Sequence, residues 1–432
     1  MKAFILTSLM LVFFDSVSGA SPVAEDTLKI SQKEAEGLFL NNNLDLLAQK
    51  LSIRQAEAQI IQAKLWPNPE FSIDELNLWA TKNQLSSGET IPPLFGNFGK
   101  NREFTAELTQ VFETAGKRRK RVALESVTRD IAAEYFSELI RNLKTDIRKN
   151  LFELAYHQSF LSVLVGQDDA LRTLLSSFER QYAQGNLNKP ELFRLKALKL
   201  ELDQQIVEAQ KDVHAAQKEL SVLLNLPTAS YLIVQDIHTP DMDILKTLTL
   251  DNLTSSASSA RPDAKISFLQ QVWAQKKYDL EYAQRKPDLT FGMNYDRGGN
   301  FLLNFFGFGF KTNLPVFNRN QGNILDSKIG IDKSKMESEQ KIKGVEAEVT
   351  QAFRDLQKSI SAYQNLDPAY GQDLDQVFQT YTRYFARREI NMVEYLDFFE
   401  AYISNKRTIL LTLKQLQDSR EELIFVTGAE LP

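Results

Sequence analysis

The sequence predicts a mixed α and β fold made of one unit used twice: helix, strand hairpin, very long helix, sharp turn, return helix. Three observations predict it. Arg180, Ala183, Asn188 and Glu191 recur as Arg383, Ala386, Asn391 and Glu394, at a separation of 203 residues. Gln110-Val111-Phe112 recurs as Pro315-Val316-Phe317 at a separation of 205, and Pro69 before Phe71 recurs as Pro287 before Leu289 at 218. Between these marks lie two stretches with almost nothing to interrupt a helix. A repeat of this kind outranks local signals in reading a fold. It divides the chain into residues 21–227, a linking equatorial segment 228–260, and residues 261–432.

The elements follow in order. Ser31 to Lys64 carries an apolar stripe of Ala35, Leu38, Leu46, Leu47, Leu51, Ala56 and Ile60, opened by a capping box of Ser31 with Glu34. Trp66-Pro67-Asn68-Pro69 ends that helix, since proline cannot continue it. A hairpin over 70–113 follows. Phe71 and Ile73 alternate with polar residues, and Leu76 and Leu78 slip phase as at a bulge. The return strand places Phe104, Ala106 and Leu108 against Thr105, Glu107 and Thr109. From 116 to 183 no proline occurs and Gly166 is the one interior glycine, so the helix runs about 100 Å. Gly185-Asn186 turns the chain, and Pro190 sits in the first turn of a return helix over 189–225. In the second unit a helix runs from Arg261 to about Arg285. A hairpin over 288–317 alternates Leu289, Phe291, Met293 and Tyr295 with Thr290, Gly292 and Asn294, then Phe306, Phe308 and Phe310 with Gly307 and Gly309. A long helix over 320–386, with Pro368 kinking or breaking it late, and a return helix over 392–426 complete the unit. Residues 231–259 are polar and irregular.

Composition narrows the function. Residues 1–20 read as a secretory leader: Lys2, an apolar run from Ala3 to Phe14, and Ser18-Gly19-Ala20 at the cleavage site. The chain has no cysteine, which excludes disulfides, thiolate metal sites and a lipid-acceptor Cys. No later segment reaches the roughly 20 apolar residues of a membrane-spanning helix. A formal charge of −5 on an exported chain argues against nucleic acid, so the run Lys117 to Arg121 reads as a solvated helix start near the membrane. His157, His214 and His238 are scattered over helix and linker. Asp236, Asp241 and Asp243 near His238 read as a polar loop. No catalytic constellation, cofactor site or metal site is expected.

Four strands of about ten residues suit an outer-membrane sheet. Four cannot close a barrel, and an open edge in lipid leaves backbone groups unpaired at several kcal/mol each. Other copies of the chain must therefore complete the tube. Phe104, Leu289, Phe291, Phe306, Phe308 and Phe310 are assigned to the lipid face, with small and polar residues toward a lumen. The long helices continue the tube as an α-barrel. The first hairpin loop is about 13 residues longer than its counterpart (218 against 205), which makes its side the extracellular one.

The segments Asn313-Leu-Pro-Val-Phe-Asn-Arg-Asn-Gln-Gly322, Gln110-Val-Phe-Glu-Thr-Ala-Gly-Lys-Arg118 and Arg261-Pro-Asp263, with the two tip turns, resemble the TolC-like outer-membrane efflux proteins. The likeness covers nearly the whole mature chain, and the Gly-Lys-Arg and Phe-Asn-Arg-Asn-Gln-Gly segments are most similar to the heavy-metal, CzcC-like branch. The resemblance implies a homotrimer in the outer membrane of a Gram-negative bacterium, with a 12-strand barrel and a 12-helix periplasmic tunnel. It implies a periplasmic membrane-fusion adaptor and an inner-membrane pump of the resistance-nodulation-division type. It places a periplasmic aperture gate at Glu394 and Asp397; in the first unit the equivalents are Glu191 and Arg194, so the rings need not be purely acidic. Adaptor contacts fall at Gly185, Asn186 and Leu187 and at Arg388, Glu389 and Ile390. Arg388 stands where the family carries glycine, which puts a left-handed turn there in doubt.

Glu394 and Asp397 read equally as ordinary solvated helix residues. For the whole chain the alternatives are a type I protein-secretion duct of the same family and a soluble periplasmic coiled-coil scaffold. Outward Phe306, Phe308 and Phe310 argue against the scaffold.

Overall fold

A computed structural model of the chain describes residues 26–79, 82–88, 91, 103–227, 230–235, 245, 247–298, 303–367 and 369–430. The proposed leader, His238 with its neighbouring aspartates, and Pro368 lie outside these residues.

The elements are β1 (Asp26–Ile30), α1 (Gln32–Asn42), α2 (Leu44–Lys64), β2 (Glu70–Asp74), a short α3 (Lys82–Ser86), β3 (Thr105–Phe112), α4 (Lys117–Ala183), α5 (Lys189–Leu224), β4 (Ser230–Val234), α6 (Leu250–Ala260), α7 (Pro262–Gln284), β5 (Leu289–Asp296), β6 (Phe305–Thr312), α8 (Gln321–Gln364), α9 (Tyr370–Ala386) and α10 (Met392–Thr427). The helix expected from Ser31 to Lys64 is two helices. Asn43 is extended, closes α1 and caps α2 by accepting the Leu46 amide at 3.0 Å. The helix expected over 320–386 ends at Gln364 and resumes at Tyr370. Apart from these breaks and the linker segment, the helices fall close to the expected ranges.

The linker 228–260 carries more structure than its composition implies. β4 pairs in parallel with β1, and α6 occupies the last third of the segment read as irregular. Gln158 of α4 closes the open side of β4, donating to Leu232 O at 2.6 Å and accepting the Val234 amide at 3.2 Å. α6 stands 218 residues after α1 (32 to 250), and buried Leu253 and Ala257 fall where Ala35 and Phe39 fall in α1. Large and small side chains have exchanged places, which hides the likeness from sequence.

The second sheet has the order β2-β3-β5-β6, antiparallel throughout. Its strands are eight residues or fewer, shorter than the ten expected. β2 stops early at a bulge. The ladder holds to Asp74 opposite Thr105, Glu75 is left-handed at φ 55°, and Asn77 then bonds Glu103 O at 3.2 Å, one residue out of step. The spacing of 205 for the second strands is also corrected. Phe71 pairs with Leu108 and Leu289 with Thr312, and 312 − 108 is 204. The extra residue before Val316-Phe317 is taken up by a tight turn over Pro315, in which the Val316 amide bonds Leu314 O at 2.9 Å.

Three apolar cores run along the helices. One joins α1, α4, α5 and the small sheet, the second joins α6, α8 and α10, and the third fills the end away from the large sheet, between α4, α5, α9 and α10. Two ionic knots are centred on buried arginines; the first ties the two halves together, and the second lies within the second half. In the first, Arg148 of α4 bonds Glu36 of α1 at 2.6 Å, the fully buried Glu421 of α10 at 2.9 Å, and Glu430 at 2.9 Å. In the second, Arg261 grips Asp263 with two bonds and donates to Val426 O at 3.0 Å, with Lys341 and Glu348 completing it. Asn43 does the equivalent task in the first half, donating to Leu223 O at 2.9 Å. Gly428 packs so closely on Arg261 that a Cβ would lie 3.0–3.3 Å from it, and its φ of 69° favours glycine as well.

Burial works against the charged Glu430 carboxylate, but hydrogen bonds from Arg148 and Lys144 outweigh it and hold its pKa at about 2 rather than 4.5. Its contribution to stability is therefore complete above pH 4.5 and is lost as pH falls toward 2. Replacing Arg148 by Met takes from the buried Glu421 one of its two guanidinium partners, leaving Arg420 at 2.7 Å, and should cost about 3 kcal/mol. Denaturant unfolding of the detergent-extracted protein across pH 7 to 2 checks both: the wild type should weaken below pH 4.5, and R148M should be weaker at pH 7 and less sensitive to acid.

Candidate functional site

The large sheet has two unlike faces. In-register pairs place Phe71 and Ile73, Ala106, Leu108 and Phe112, Leu289, Phe291, Met293 and Tyr295, and Phe306, Phe308 and Phe310 on one side. All six residues assigned to lipid fall on this side, Phe104 among them, with its ring 5.8 Å edge-on to Tyr295. Phe308 and Phe310 are 83% and 74% exposed, a state that water does not favour. The other side carries Glu70, Ser72 and Asp74, Glu107 and Thr109, Thr290, Gly292, Asn294 and Asp296, and Gly307, Gly309 and Lys311. Many of these line a trough of about 1100 Å³. Glycines keep it open: a Cβ on Gly307 would lie 2.3 Å from the Asn294 amide oxygen, and one on Gly292 would lie 3.3 Å from Glu107. On the strands this face carries four carboxylates against one lysine, and at its helix end Lys117, Arg285, Lys286 and Asp288 join the lining of the trough. The sequence showed the alternation but not which carboxylates share the wall, because that needed the register.

The strand-to-helix junction corrects the reading of Lys117 to Arg121 as a solvated run. Lys117 is buried, bonding Asp288 and Lys286 O at 2.8 Å each. Arg118 lies over the Trp66 ring at 3.9 Å, and Arg121 holds Glu113 with two bonds of 2.6 and 2.7 Å. Left-handed Ala115 and Gly116 turn the chain from strand into helix.

At the opposite end the two tip turns are alike. Gly185 and Arg388 are both left-handed, at φ 76° and 63°. In each turn the next amide bonds a carbonyl five residues back, Asn186 to Gln181 O and Glu389 to Tyr384 O, both at 2.9 Å. The doubt over Arg388 is thus resolved against the sequence expectation. Its guanidinium compensates for the strain by crossing to the first tip, where it bonds Gln181 Oε1 at 2.7 Å and the Asn186 carbonyl. Leu187 does not face outward as the tip assignment implied. It is buried, and Ile390 packs against the same core. Gly185, Asn186, Arg388 and Glu389 form the exposed tip.

Glu394 is the third residue of α10 and closes a capping box, accepting the Asn391 amide at 3.3 Å while Asn391 accepts its own at 3.0 Å. At the first tip the Glu191 amide likewise donates to Asn188 Oδ1 at 3.0 Å, but its carboxylate accepts from the Asn188 side-chain amide at 2.7 Å, so the box is not closed through the backbone. Asp397 is exposed one turn further on. Below them Tyr395 is buried and stacked on Phe385 at 4.4 Å, and burial pushes its phenol up to about 12. Among the described residues no group of His, Cys, Asp and Glu could hold a metal ion, and no helix is long and apolar enough to cross a membrane.

A sheet apolar on one face and polar on the other, set at the end of helices about 100 Å long, belongs to a known architecture. A family model described as outer membrane efflux protein matches residues 37–226. Over those residues the chain resembles the outer membrane efflux proteins. It is 21% identical to the cobalt-zinc-cadmium resistance protein CzcC of Cupriavidus metallidurans, over 85% of this chain and 82% of that protein. It is 23% identical to the pyoverdine export outer membrane protein OpmQ of Pseudomonas putida, over 93% and 84%. Its fold matches the Campylobacter jejuni CmeC outer membrane channel with a TM-score of 0.74 at 15% identity, covering 92% of this chain and 85% of that one. The chain is accordingly an outer-membrane channel component of tripartite pumps with a long periplasmic helical part, and is not an enzyme.

R388G removes the bond between the tips yet suits the left-handed turn, so stability should change by less than about 1 kcal/mol. Spin labels at Asn186 and Glu389 within one protomer should give a narrow distance distribution in the wild type and a broad one in R388G.

Proposed function

We propose that three copies of this chain close a 12-strand barrel and a 12-helix periplasmic tunnel, forming a passive exit duct. A periplasmic membrane-fusion adaptor meets the tips, and an inner-membrane pump of the resistance-nodulation-division type supplies the energy. The two units, 21–227 and 261–432, contribute two strands and two long helical arms each. One observation carries the reading: a four-stranded sheet with a lipid-like face, a polar trough and two open edges. The apolar face meets lipid through Phe104, Leu289, Phe291, Phe306, Phe308 and Phe310, and the trough becomes the lumen.

Cations are the cargo class this wall fits. Glu70, Asp74, Glu107 and Asp296 outnumber Lys311 on the inner face, and rings of carboxylates favour cations. The similarity to CzcC supports heavy-metal ions. The similarity to OpmQ supports a second cargo, an exported metal chelator. The secretion-duct reading has no observation of its own in the structure, and the exposed phenylalanine face opposes a soluble scaffold.

At the tip, Glu394 and Asp397 are proposed as the aperture gate. The capping box fixes the height of Glu394, so three copies project at one level. Glutamine at 394 keeps that cap, which makes E394Q with D397N a test of charge alone. In planar bilayers the wild type should show small cation-selective currents blocked by millimolar divalent ions. The double variant should lose most of that block. Unchanged block would remove the gate assignment, and absence of any conductance would remove the duct.

A further inference from the structure

Among the described residues the large sheet has one seam between its two units, β3 against β5, and leaves β2 and β6 with open edges. We propose that β6 of one copy pairs antiparallel with β2 of the next in the register the internal seam dictates, bringing Leu314 level with Ile73 of the next copy and Arg319 against its Glu70. The inference rests on the closed-ring reading above and adds to it the residues that meet.

The register follows from three ladders. Within the chain Gln110 lies opposite Phe291. β2 maps onto β5 with a shift of 218, Phe71 onto Leu289, and their partners Leu108 and Thr312 give a shift of 204 from β3 to β6. Applied to the internal pair, Phe291 becomes Ile73 and Gln110 becomes Leu314. Thr109 opposite Gly292 becomes Asn313 opposite Asp74 in the same way. Both members of the Leu314–Ile73 pair fall on the apolar side of the sheet, so the lipid face continues across the seam without a break.

The side chains at the two edges fit this pairing. In the internal seam Phe112 lies edge-on to Phe291 at 5.5 Å. Phe317, its counterpart past the Pro315 turn, is 92% exposed, and Phe71 and Ile73 on the opposite edge are also exposed. Pairing covers all three. At the foot of the internal seam the carboxylate of Asp288 accepts the Thr114 amide at 2.9 Å and Lys117 Nζ at 2.8 Å. Asp288 maps onto Glu70 through the shift of 218, and Thr114 maps onto Arg319 through the spacing of 205 that holds beyond Pro315. Neither Glu70 nor Arg319 enters an ion pair among the described residues. A carboxylate and a cation thus wait at opposite edges, where the internal seam has its own buried pair.

The absence of cysteine makes the test clean. Within one chain Ile73 lies level with Phe306, so Leu314 is three strand spacings across, about 14 Å, and eight residues further along β6, too far for a disulfide. I73C with L314C, oxidised in outer-membrane fractions, should therefore shift from monomer to two and three times the monomer mass on a non-reducing gel. S72C with L314C, one residue off and facing the other side, should stay monomeric. As an independent measurement, R319E should lower the recovery of oligomer from detergent, and adding E70R should restore it. Cross-linking through the S72C pair alone, or trimers by light scattering with no cross-link in the I73C pair and no charge rescue, overturns the register but leaves the ring. A monomer mass for the unmodified protein overturns both.

Discussion

The structure depends on one constraint: a backbone N–H or C=O in hydrocarbon must find a partner inside the protein. The large sheet satisfies this for its inner strands and not for the outer edges of β2 and β6. In the proposed duct its phenylalanine face and its polar trough have a use only if those edges are closed. The requirement for further copies in that proposed duct therefore comes from hydrogen bonding, and the apolar face only sets where the closed sheet resides.

What holds the strands to the helices is electrostatic. Lys117 is buried at the strand-to-helix junction and spans the two halves through Asp288 and Lys286. Further along, the buried Arg148 and Arg261 each gather carboxylates from more than one element. Such groups contribute little as isolated pairs, but each is costly to break once its partners are buried. They fix the mutual position of helices whose apolar stripes alone would permit sliding. At the tips the ties are weaker and exposed, with Arg388 joining one turn to the other. An ionic tie at the sheet junction, knots part-way along the helices and a light clasp at the far end are a mechanical arrangement suited to the aperture proposed at the tips.

The sequence was informative wherever local chemistry decides the outcome. Proline and glycine marked the helix ends, the period of two marked the strands, and Asn188-Glu191 and Asn391-Glu394 marked the starts of both return helices. It was less informative where partners lie far apart in the chain. α6 escaped notice because Leu253 and Ala257 exchange the sizes of Ala35 and Phe39. β4 is short and depends on Gln158, more than seventy residues earlier, for its edge. The basic run after Gly116 looked solvated because Asp288, Trp66 and Glu113 are invisible as neighbours until the chain folds. Arg388 defied the glycine expectation because a distant glutamine and carbonyl compensate for its backbone. The spacing of 205 misplaced the second strand by one residue because motif similarity cannot see a turn inserted after the ladder ends.

The central claim is that the outward-pointing amides of β2 and β6 are hydrogen-bonded by another copy of the chain. Amide hydrogen exchange of the detergent-extracted protein, read over β2 and β6 against β3 and β5, tests it directly. The account predicts protection of the edge strands comparable to that of the inner pair. Exchange of β2 and β6 at the rate of unpaired backbone, with β3 and β5 protected, would contradict it.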